Sequence, residues 1–466
     1  MLFNTLTFVV FFSIFYSLYL VLRHKPQNLL LLIASYIFYG WWDWRFLGLL
    51  MLSTVVDYSF ALGLEYLQDE RKRRALITAS VVTNLGFLGF FKYFNFFADS
   101  TVHVLNALGM EADPVTLHIV LPVGISFYTF QSMSYTIYVY RRVIKPTRNL
   151  LDFATYVAFF PQLVAGPIER ADRLIPQVNH PRTVTYEKIR QGAWLILVGY
   201  FYKVVVADNL AVIANEVFNH PDQHHGLSVL VGINAFAFQI YGDFAGYSSI
   251  AQGLAKLMGF ELMMNFRMPY FAQNPQDFWR RWHISLSTWL RDYLYISLGG
   301  SKYGTFKTYR NLFLTMFLGG LWHGAAWNFV AWGSYHGLLL IAHRLLTGKL
   351  RENRSASAWS SLLKIAVMFQ FTCLGWVLFR VNHLADFPVL ISNLFSAGSA
   401  PQYWYVALLV FVLPLFVLHI LEERADDQLF VKKFRAPVRL FIYSGLFAYI
   451  LVSGRTSGAT FIYFQF

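Results

Sequence analysis

Long apolar stretches separated by short polar loops recur along the whole chain. A helix needs about 20 mostly apolar residues to cross the hydrocarbon core of a bilayer. About eleven stretches approach that length, which predicts an all-α polytopic membrane protein. The predicted spans are Leu2–Leu22, Asn28–Trp42, Phe46–Tyr66, Ala75–Phe97, His118–Tyr140, Ile189–Val212, Leu227–Phe244, Asn311–His343, Leu362–Arg380, Tyr403–Leu421 and Leu440–Val452. We interpret residues 1–466 as one integral-membrane domain.

The loops alternate in charge, and this alternation predicts the side of the membrane on which each one lies. The basic loops are Arg23–Lys25, Glu70–Arg74, Arg141–Arg148, Arg170–Arg190 and Lys349–Arg354. The alternating segments Ala98–Leu117 and Asn215–Gly226 are not basic. Because Lys and Arg concentrate in cytoplasmic loops, the basic loops should be cytoplasmic and both termini should lie outside.

Two apolar stretches do not read as simple spans. Leu150–Ile168 is interrupted by Pro161, Gly166 and Pro167, and irregular backbone at membrane depth must be buried in protein or line water. We therefore expect a re-entrant segment there. Asn311–His343 would be roughly 50 Å long as one helix, far beyond the hydrocarbon thickness, which predicts a break near Gly319–Gly320.

That second stretch contains an isolated histidine, His323. The nearest formal charges are Arg310 and Arg344. Ionisable groups at membrane depth are costly and usually face a bundle interior or a watered cavity. A hydrogen-bonded core histidine is the simpler interpretation, and a catalytic base is the functional one. His336 is a weaker candidate of the same kind.

Composition narrows the class of protein further. The chain is 56% hydrophobic and 14% charged, whereas soluble domains carry about 25% charged residues. The net charge of +13 follows from the basic loops, and no basic, aromatic-interleaved face points to nucleic acid. Cys373 is the only cysteine, which excludes an internal disulfide, and no His/Cys/Asp spacing suggests a metal site.

The densest polar region runs from Met263 to Gly304. Asn274 and Pro275 predict a helix start, and one continuous helix would then align Trp279, His283 and Ser287 on one face. Its basic residues are Arg280, Arg281 and Arg291, followed by Lys302 and Lys307. One interpretation is an interfacial amphipathic helix, and the other is an anion-binding vestibule for a phosphorylated donor.

Two aspartates, Asp57 and Asp243, also stand in apolar stretches. Each can pair with a basic residue or cap an interrupted helix. The alternative is a role in placing an acyl group or a catalytic histidine.

Several long motifs resemble the membrane-bound O-acyltransferase superfamily, in its bacterial branch of polysaccharide O-acetylation subunits. They are LPVGISFYTFQ (Leu121–Gln131), FFPQLVAGPIER (Phe159–Arg170), YGDFAGYSSIAQGLAKLMG (Tyr241–Gly259), DFWRRWHISLSTWLRDYLYI (Asp277–Ile296) and GLWHGAAWNFVAWG (Gly320–Gly333). FKYFNFF (Phe91–Phe97) and FIYFQF (Phe461–Phe466) fit the same branch. The resemblance covers essentially the whole chain.

The resemblance implies a fold and a pair of catalytic histidines. The fold would be a ring of helices with re-entrant segments around a thin central region, entered from the cytosol by a funnel. The superfamily's near-invariant histidine falls on His323, and its second signature position falls on His283. We assign donor binding to Arg280, Arg281, Arg291, Trp279 and Trp282, and supporting roles to Asn274, Asp277, Trp322 and Asp243.

The implied activity is O-acetylation of an exported polysaccharide (alginate-type, cellulose or peptidoglycan) in the bacterial inner membrane. Cytosolic acetyl-CoA would be the donor, with no permanently bound cofactor. A periplasmic partner protein would bind in part through Phe461–Phe466. Alternatives are D-alanyl transfer to teichoic acid from a carrier-protein thioester, a proton-coupled transporter and a structural scaffold.

Overall fold

The described part of the chain is helical wherever its backbone is regular. A computed structural model describes residues 1–113, 116–117, 120–163, 166–348, 357–455 and 461–462, and no strand occurs among them. The chain forms two compact units. Unit 1 comprises Met1–Gly192 and Leu254–Met263, and unit 2 comprises Ala193–Gly253 and Met264–Phe466. The assignment of one domain to residues 1–466 stays a prediction.

Seven helical runs in the described parts of the chain are long and apolar enough to span a membrane. They are Arg45–Tyr66, Glu70–Ala107, Tyr186–Asn219, Leu227–Leu257, Ala358–Arg380, Gln402–Ala425 and Ala436–Ser453. This confirms the prediction of an all-α polytopic membrane protein.

The other four of the eleven predicted spans are shorter or divided. The first two correspond to helices of 16 and 17 residues, Leu6–Val21 and His24–Gly40. The span predicted from His118, a residue outside the described ones, is a 16-residue helix that begins at Ile125, after Gly124 with its left-handed φ of 75°. The fourth, Asn311–His343, is divided between two helices.

In its described residues, unit 1 contains nine whole helices, the start of a tenth and the last four residues of a helix that begins in unit 2 (Leu227–Leu257). The first ten helices are α1 Leu6–Val21, α2 His24–Gly40, α3 Arg45–Tyr66, α4 Glu70–Leu88, α5 Phe94–Ala107, α6 Ile125–Tyr140, α7 Leu150–Ala158, α8 Phe160–Leu163, α9 Ala171–Asn179 and α10 Tyr186–Tyr200. A π-helical turn, Gly89–Tyr93, joins α4 to α5.

The stretch predicted to be re-entrant is interrupted, and its described residues from Phe153 onward are buried. Helix α7 ends at Ala158, Phe159 leaves the helical conformation, and the single turn α8 follows. Phe159, Phe160 and Leu163 are buried, as irregular backbone at membrane depth requires. Its re-entrant course stays a prediction.

Unit 2 begins within α10 and carries the remaining helices. They are α11 Asp208–Asn219, α12 Leu227–Leu257 (whose last four residues belong to unit 1), α13 Pro275–Arg281, α14 Ile284–Trp289, α15 Thr305–His323, α16 Trp327–Thr347, α17 Ala358–Arg380, α18 Asp386–Leu394, α19 Gln402–Ala425 and α20 Ala436–Ser453. Two further π-helical turns, Phe201–Ala207 and Leu290–Tyr295, follow α10 and α14.

Helices α15 and α16 form a close hairpin. A Cβ atom on Gly320 would lie 2.3 Å from the carbonyl oxygen of Phe329, and one on Gly333 would lie 2.4 Å from that of Met316. The predicted division of Asn311–His343 is confirmed, but its predicted place near Gly319–Gly320 is wrong. The glycines serve close packing, and the chain turns after His323, at Gly324–Ala326.

Candidate active site

His283 lies at a break between two short helices. Asn274 accepts a hydrogen bond from the amide of Asp277 at 2.8 Å, and Pro275 follows, which confirms the predicted helix start. Helix α13 ends at Arg281, however, and His283 adopts a left-handed φ of 42° before α14 begins. The predicted continuous helix face through Trp279, His283 and Ser287 is therefore wrong. Such strained residues cluster at functional sites.

The His283 imidazole is held by an asparagine that the sequence did not reveal. Its Nδ1 lies 3.0 Å from Oδ1 of Asn265, and the ring is fully buried. Phe244 packs edge-on against it, with ring centroids 4.7 Å apart. Burial lowers the pKa of His283 to about 3, so the ring is neutral at physiological pH. A neutral imidazole has one nitrogen that accepts a proton or a hydrogen bond.

His323 is the last residue of α15 and sits between aromatic rings. Three of these rings are those of Trp332 (4.9 Å between centroids), Trp322 (5.1 Å) and Phe379 (5.5 Å). The side chain is buried, and the extended backbone of Gly324 turns the chain immediately after it. The position of His323 is thus set by the end of a helix and by packing.

The structure brings the two predicted histidines together. Their ring centroids are 6.4 Å apart with an interplanar angle of 60°. At this separation the ring nitrogens of the two histidines cannot hydrogen-bond to each other directly. The rings are close enough, however, for both to contact one small substrate group.

Tryptophans form a continuous shell beside the histidines. Trp282 is fully buried and lies 4.7 Å from Trp376, while Trp279 lies 5.7 Å from Trp332, all measured between ring centroids. His336 joins this shell, with its ring 5.0 Å from that of Trp332. Because α16 turns back alongside α15, His336 lies beside these tryptophans. In one regular helix it would lie far from His323.

The three predicted donor-binding arginines differ in their surroundings. Arg281 pairs with Asp277 at 2.9 Å and lies 3.8 Å from Glu423. Arg291 pairs with its neighbour Asp292 at 2.6 Å. Arg280 is exposed at the end of α13. The positive field is therefore partly neutralised at Arg281 and Arg291.

Asp243 belongs to a buried ion cluster. The ammonium of Lys203 lies 2.7 Å from a carboxylate oxygen of Asp243 and 2.8 Å from one of Asp208. The other oxygen of Asp243 accepts a hydrogen bond from the amide of Ile462 at 2.6 Å. Asp243 therefore pairs with a basic residue, as one interpretation of the sequence predicted.

Asp57 differs from Asp243. It accepts hydrogen bonds from the neutral side chains of Ser80 at 3.0 Å and Asn84 at 2.8 Å, and it is buried in unit 1. These partners are neutral side chains, whereas the predicted pairing would require a basic residue.

Part of the C-terminal motif packs next to the ion cluster of Lys203, Asp208 and Asp243. Phe461 is buried between Tyr247 and Phe244, at 4.7 and 5.8 Å between ring centroids. Phe461 and Ile462 are therefore committed to the interior of unit 2. The rest of the motif, residues 463–466, lies outside the described residues.

Among the described residues, no group of three His, Cys, Asp or Glu side chains is arranged to hold a metal ion. Cys373 is buried in α17.

The chain belongs to the membrane-bound O-acyltransferase family, whose model matches residues 36–378, and it is an O-acyltransferase with a multi-pass membrane fold. It is 46% identical to the probable alginate O-acetylase AlgI of Azotobacter vinelandii over 84% of this chain and 77% of that protein. It is 34% identical to the peptidoglycan O-acetyltransferase of Helicobacter pylori over 82% of this chain and 78% of that protein. A more distant relative is the teichoic acid D-alanyltransferase of Bacillus subtilis, 28% identical over 55% of this chain and 68% of that protein.

Proposed function

We propose that this protein is an inner-membrane O-acetyltransferase that takes acetyl from cytosolic acetyl-CoA and passes it across the membrane for O-acetylation of an exported polysaccharide. The observation that carries the proposal is the pairing of His283 and His323, two buried rings from separate helix ends with centroids 6.4 Å apart. Two relatives that match more than 80% of the chain, at 46% and 34% identity, act by their names on alginate and peptidoglycan. D-alanyl transfer has weaker support, because that relative matches less of the chain at lower identity.

The transfer needs one proton acceptor and one group that polarises the thioester. In our proposal His323 removes the proton from the acceptor hydroxyl as its oxygen attacks the acetyl carbonyl carbon. The carbon–sulfur bond then breaks, and the leaving thiolate takes the proton from the imidazolium. The two histidines together would hold the proton between these steps, with His283 orienting the thioester or sharing the transfer.

The donor would approach from the cytosolic side, where coenzyme A presents anionic phosphates. Arg280 and Arg291 are both exposed, but Arg281 and Arg291 already carry carboxylate partners. We therefore assign the first electrostatic contact to Arg280. Trp279 and Trp282 belong to the tryptophan shell next to the histidines, where they would exclude water from the thioester.

The side of the membrane on which the acceptor binds is proposed from the charges of the loops. The loop charges favour a periplasmic location for both termini, and a partner protein there would receive the acetyl group or present the polymer. Because Phe461 and Ile462 are buried, a partner that uses the C-terminal motif would have to contact residues 463–466.

Purified protein incubated with acetyl-labelled acetyl-CoA tests the proposal. We expect release of CoA, with the label appearing on the protein or on an added periplasmic partner. A proton-coupled transporter would release no CoA. Turnover of a D-alanyl carrier-protein thioester, with none of acetyl-CoA, would instead favour the teichoic acid reaction.

A further inference from the structure

Asn265 lies in the non-helical part of the segment between α12 and α13. It is 1% exposed, and its side-chain amide contacts His283, Ser285 and Ser248. We propose that Asn265 is a positioning residue that holds His283 in the tautomer protonated on Nδ1, so that Nε2 is the nitrogen that faces the reaction. This inference rests on the proposed function, in which His283 takes part in acyl transfer.

The orientation of the Asn265 amide is fixed by a donor whose role is unambiguous. The backbone N–H of Ser285 lies 3.3 Å from Oδ1 of Asn265, and a backbone N–H can only donate. The amide nitrogen Nδ2 faces the hydroxyl of Ser248 at 3.2 Å. The oxygen of the amide therefore points toward His283.

An oxygen in that position determines the state of the imidazole. Oδ1 of Asn265 carries no proton, so Nδ1 of His283, at 3.0 Å, must donate one for the contact to be attractive. The hydroxyl of Ser285 is closer to Oδ1 (2.9 Å) than to Nδ1 (3.4 Å), so it too donates to the amide oxygen. With the Nδ1 proton fixed, Nε2 is the unprotonated nitrogen of the neutral ring.

Asn265 also holds the backbone of the strained turn. Its carbonyl oxygen accepts a hydrogen bond from the amide of Ile284 at 2.9 Å, immediately after His283 with its left-handed φ. One residue thus fixes both the backbone and the ring of His283. A neutral amide does this without placing a second charge in a buried site, where an unpaired charge is costly.

Substitutions at Asn265 separate positioning from a merely structural role. Asn265→Leu keeps the approximate volume but cannot accept from Nδ1, and we expect kcat for CoA release to fall about 10- to 100-fold with KM for acetyl-CoA unchanged, the usual effect of losing such a partner. Asn265→Asp still accepts from Nδ1 and should recover part of the lost rate. Asn311→Leu is the matched control, because Asn311 is equally buried and its amide donates to the carbonyls of Leu298 and Gly300.

Nitrogen NMR of ¹⁵N-histidine-labelled wild-type protein gives a second readout that needs no variant at Asn265. The His283 signals, assigned by their loss in His283→Gln, should show a protonated Nδ1 and an unprotonated Nε2. An unprotonated Nδ1, or wild-type kcat in a folded Asn265→Leu protein, would overturn the inference. Wild-type kcat in His283→Gln would instead contradict the catalytic role that the proposed function gives to His283. The tautomer of His283 in the wild-type protein could still be measured in that case.

Discussion

Two clusters of ionisable side chains are buried in unit 2, and they differ in what surrounds them. The ammonium of Lys203 lies within 2.8 Å of a carboxylate oxygen of Asp208 and of Asp243, so two carboxylates share one cation. His283 and His323 are surrounded by an amide and by aromatic rings. The first cluster holds its charges together by ion pairing, whereas in our proposal the second takes up a proton during the reaction. An ionisable residue in an apolar segment is therefore a sign of function only when its partners leave it able to change state.

Replacing the shared lysine should have the largest effect on stability. Lys203→Met leaves two buried carboxylates with no cation between them, which typically costs about 3–5 kcal/mol of unfolding free energy. Denaturant unfolding in detergent measures this, with Lys364→Met at an exposed position of α17 as the control. A Lys203→Met protein of wild-type stability but without transfer activity would mean that the ion cluster takes part in catalysis. The contrast between a structural ion cluster and a catalytic histidine pair would then be wrong.

The glycines of the hairpin come next in expected magnitude. In Gly333→Ala the new Cβ would meet the backbone oxygen of Met316 at 2.4 Å, and backbone cannot move aside as a side chain can. We expect a loss of about 1–3 kcal/mol and reduced transfer, because Trp332 beside His323 must shift. Gly86→Ala is the control, since nothing lies within 4 Å of a Cβ there and alanine should be neutral or stabilising. Equal stability of the two variants would contradict the close hairpin.

The buried His283 predicts a pH dependence of stability with a definite sign. Its pKa is about 3 in the folded protein and near 6.5 in an unfolded chain, so below pH 6.5 the unfolded state binds a proton that the folded state does not. Stability should therefore fall as the pH falls from about 6.5 toward 3, by up to about 1.4 kcal/mol per pH unit for this residue. Unfolding of wild type and His283→Gln between pH 7 and 5 isolates the effect. The same slope in both proteins would show that His283 is not buried in its neutral form.

Arg280 should give the smallest effect. Because it is exposed, Arg280→Ala is expected to raise KM for acetyl-CoA about two- to fivefold without changing kcat, and the difference should shrink in high salt. Arg71→Ala, an exposed arginine on α4, is the control. A fall in kcat with unchanged KM would mean that Arg280 acts on the transition state and not on donor capture.

The sequence predicted the helices well because span length depends only on local apolar content. It predicted the breaks less well. The paired glycines at 319–320 suggested an interruption, yet Gly320 permits contact with the backbone of Phe329, and the turn falls after His323. The left-handed turn at His283 had no local signal, because Trp-Arg-Arg-Trp-His-Ile reads as continuous helix.

Long-range partners account for the rest of what the sequence could not provide. Asn265 is 18 residues from His283 and lies on no shared helix face. Lys203 pairs with Asp243 across 40 residues of chain, through a π-helical turn that sequence patterns do not reveal. The motif resemblance identified His323 and His283, but only the folded chain shows which groups orient them.

The central claim is that the paired histidines carry the acyl transfer, and His323→Ala tests it most directly. The O-acetyl content of the exported polysaccharide should be measured in cells that make this variant, wild type, or His103→Ala, an exposed histidine on α5. Membrane insertion and thermal unfolding of each protein should be checked alongside. We expect the O-acetyl content to fall by at least about 100-fold in His323→Ala and to stay at the wild-type level in His103→Ala, because a positioned acid–base group contributes that much or more. Wild-type O-acetylation by an inserted, folded His323→Ala protein would contradict the account.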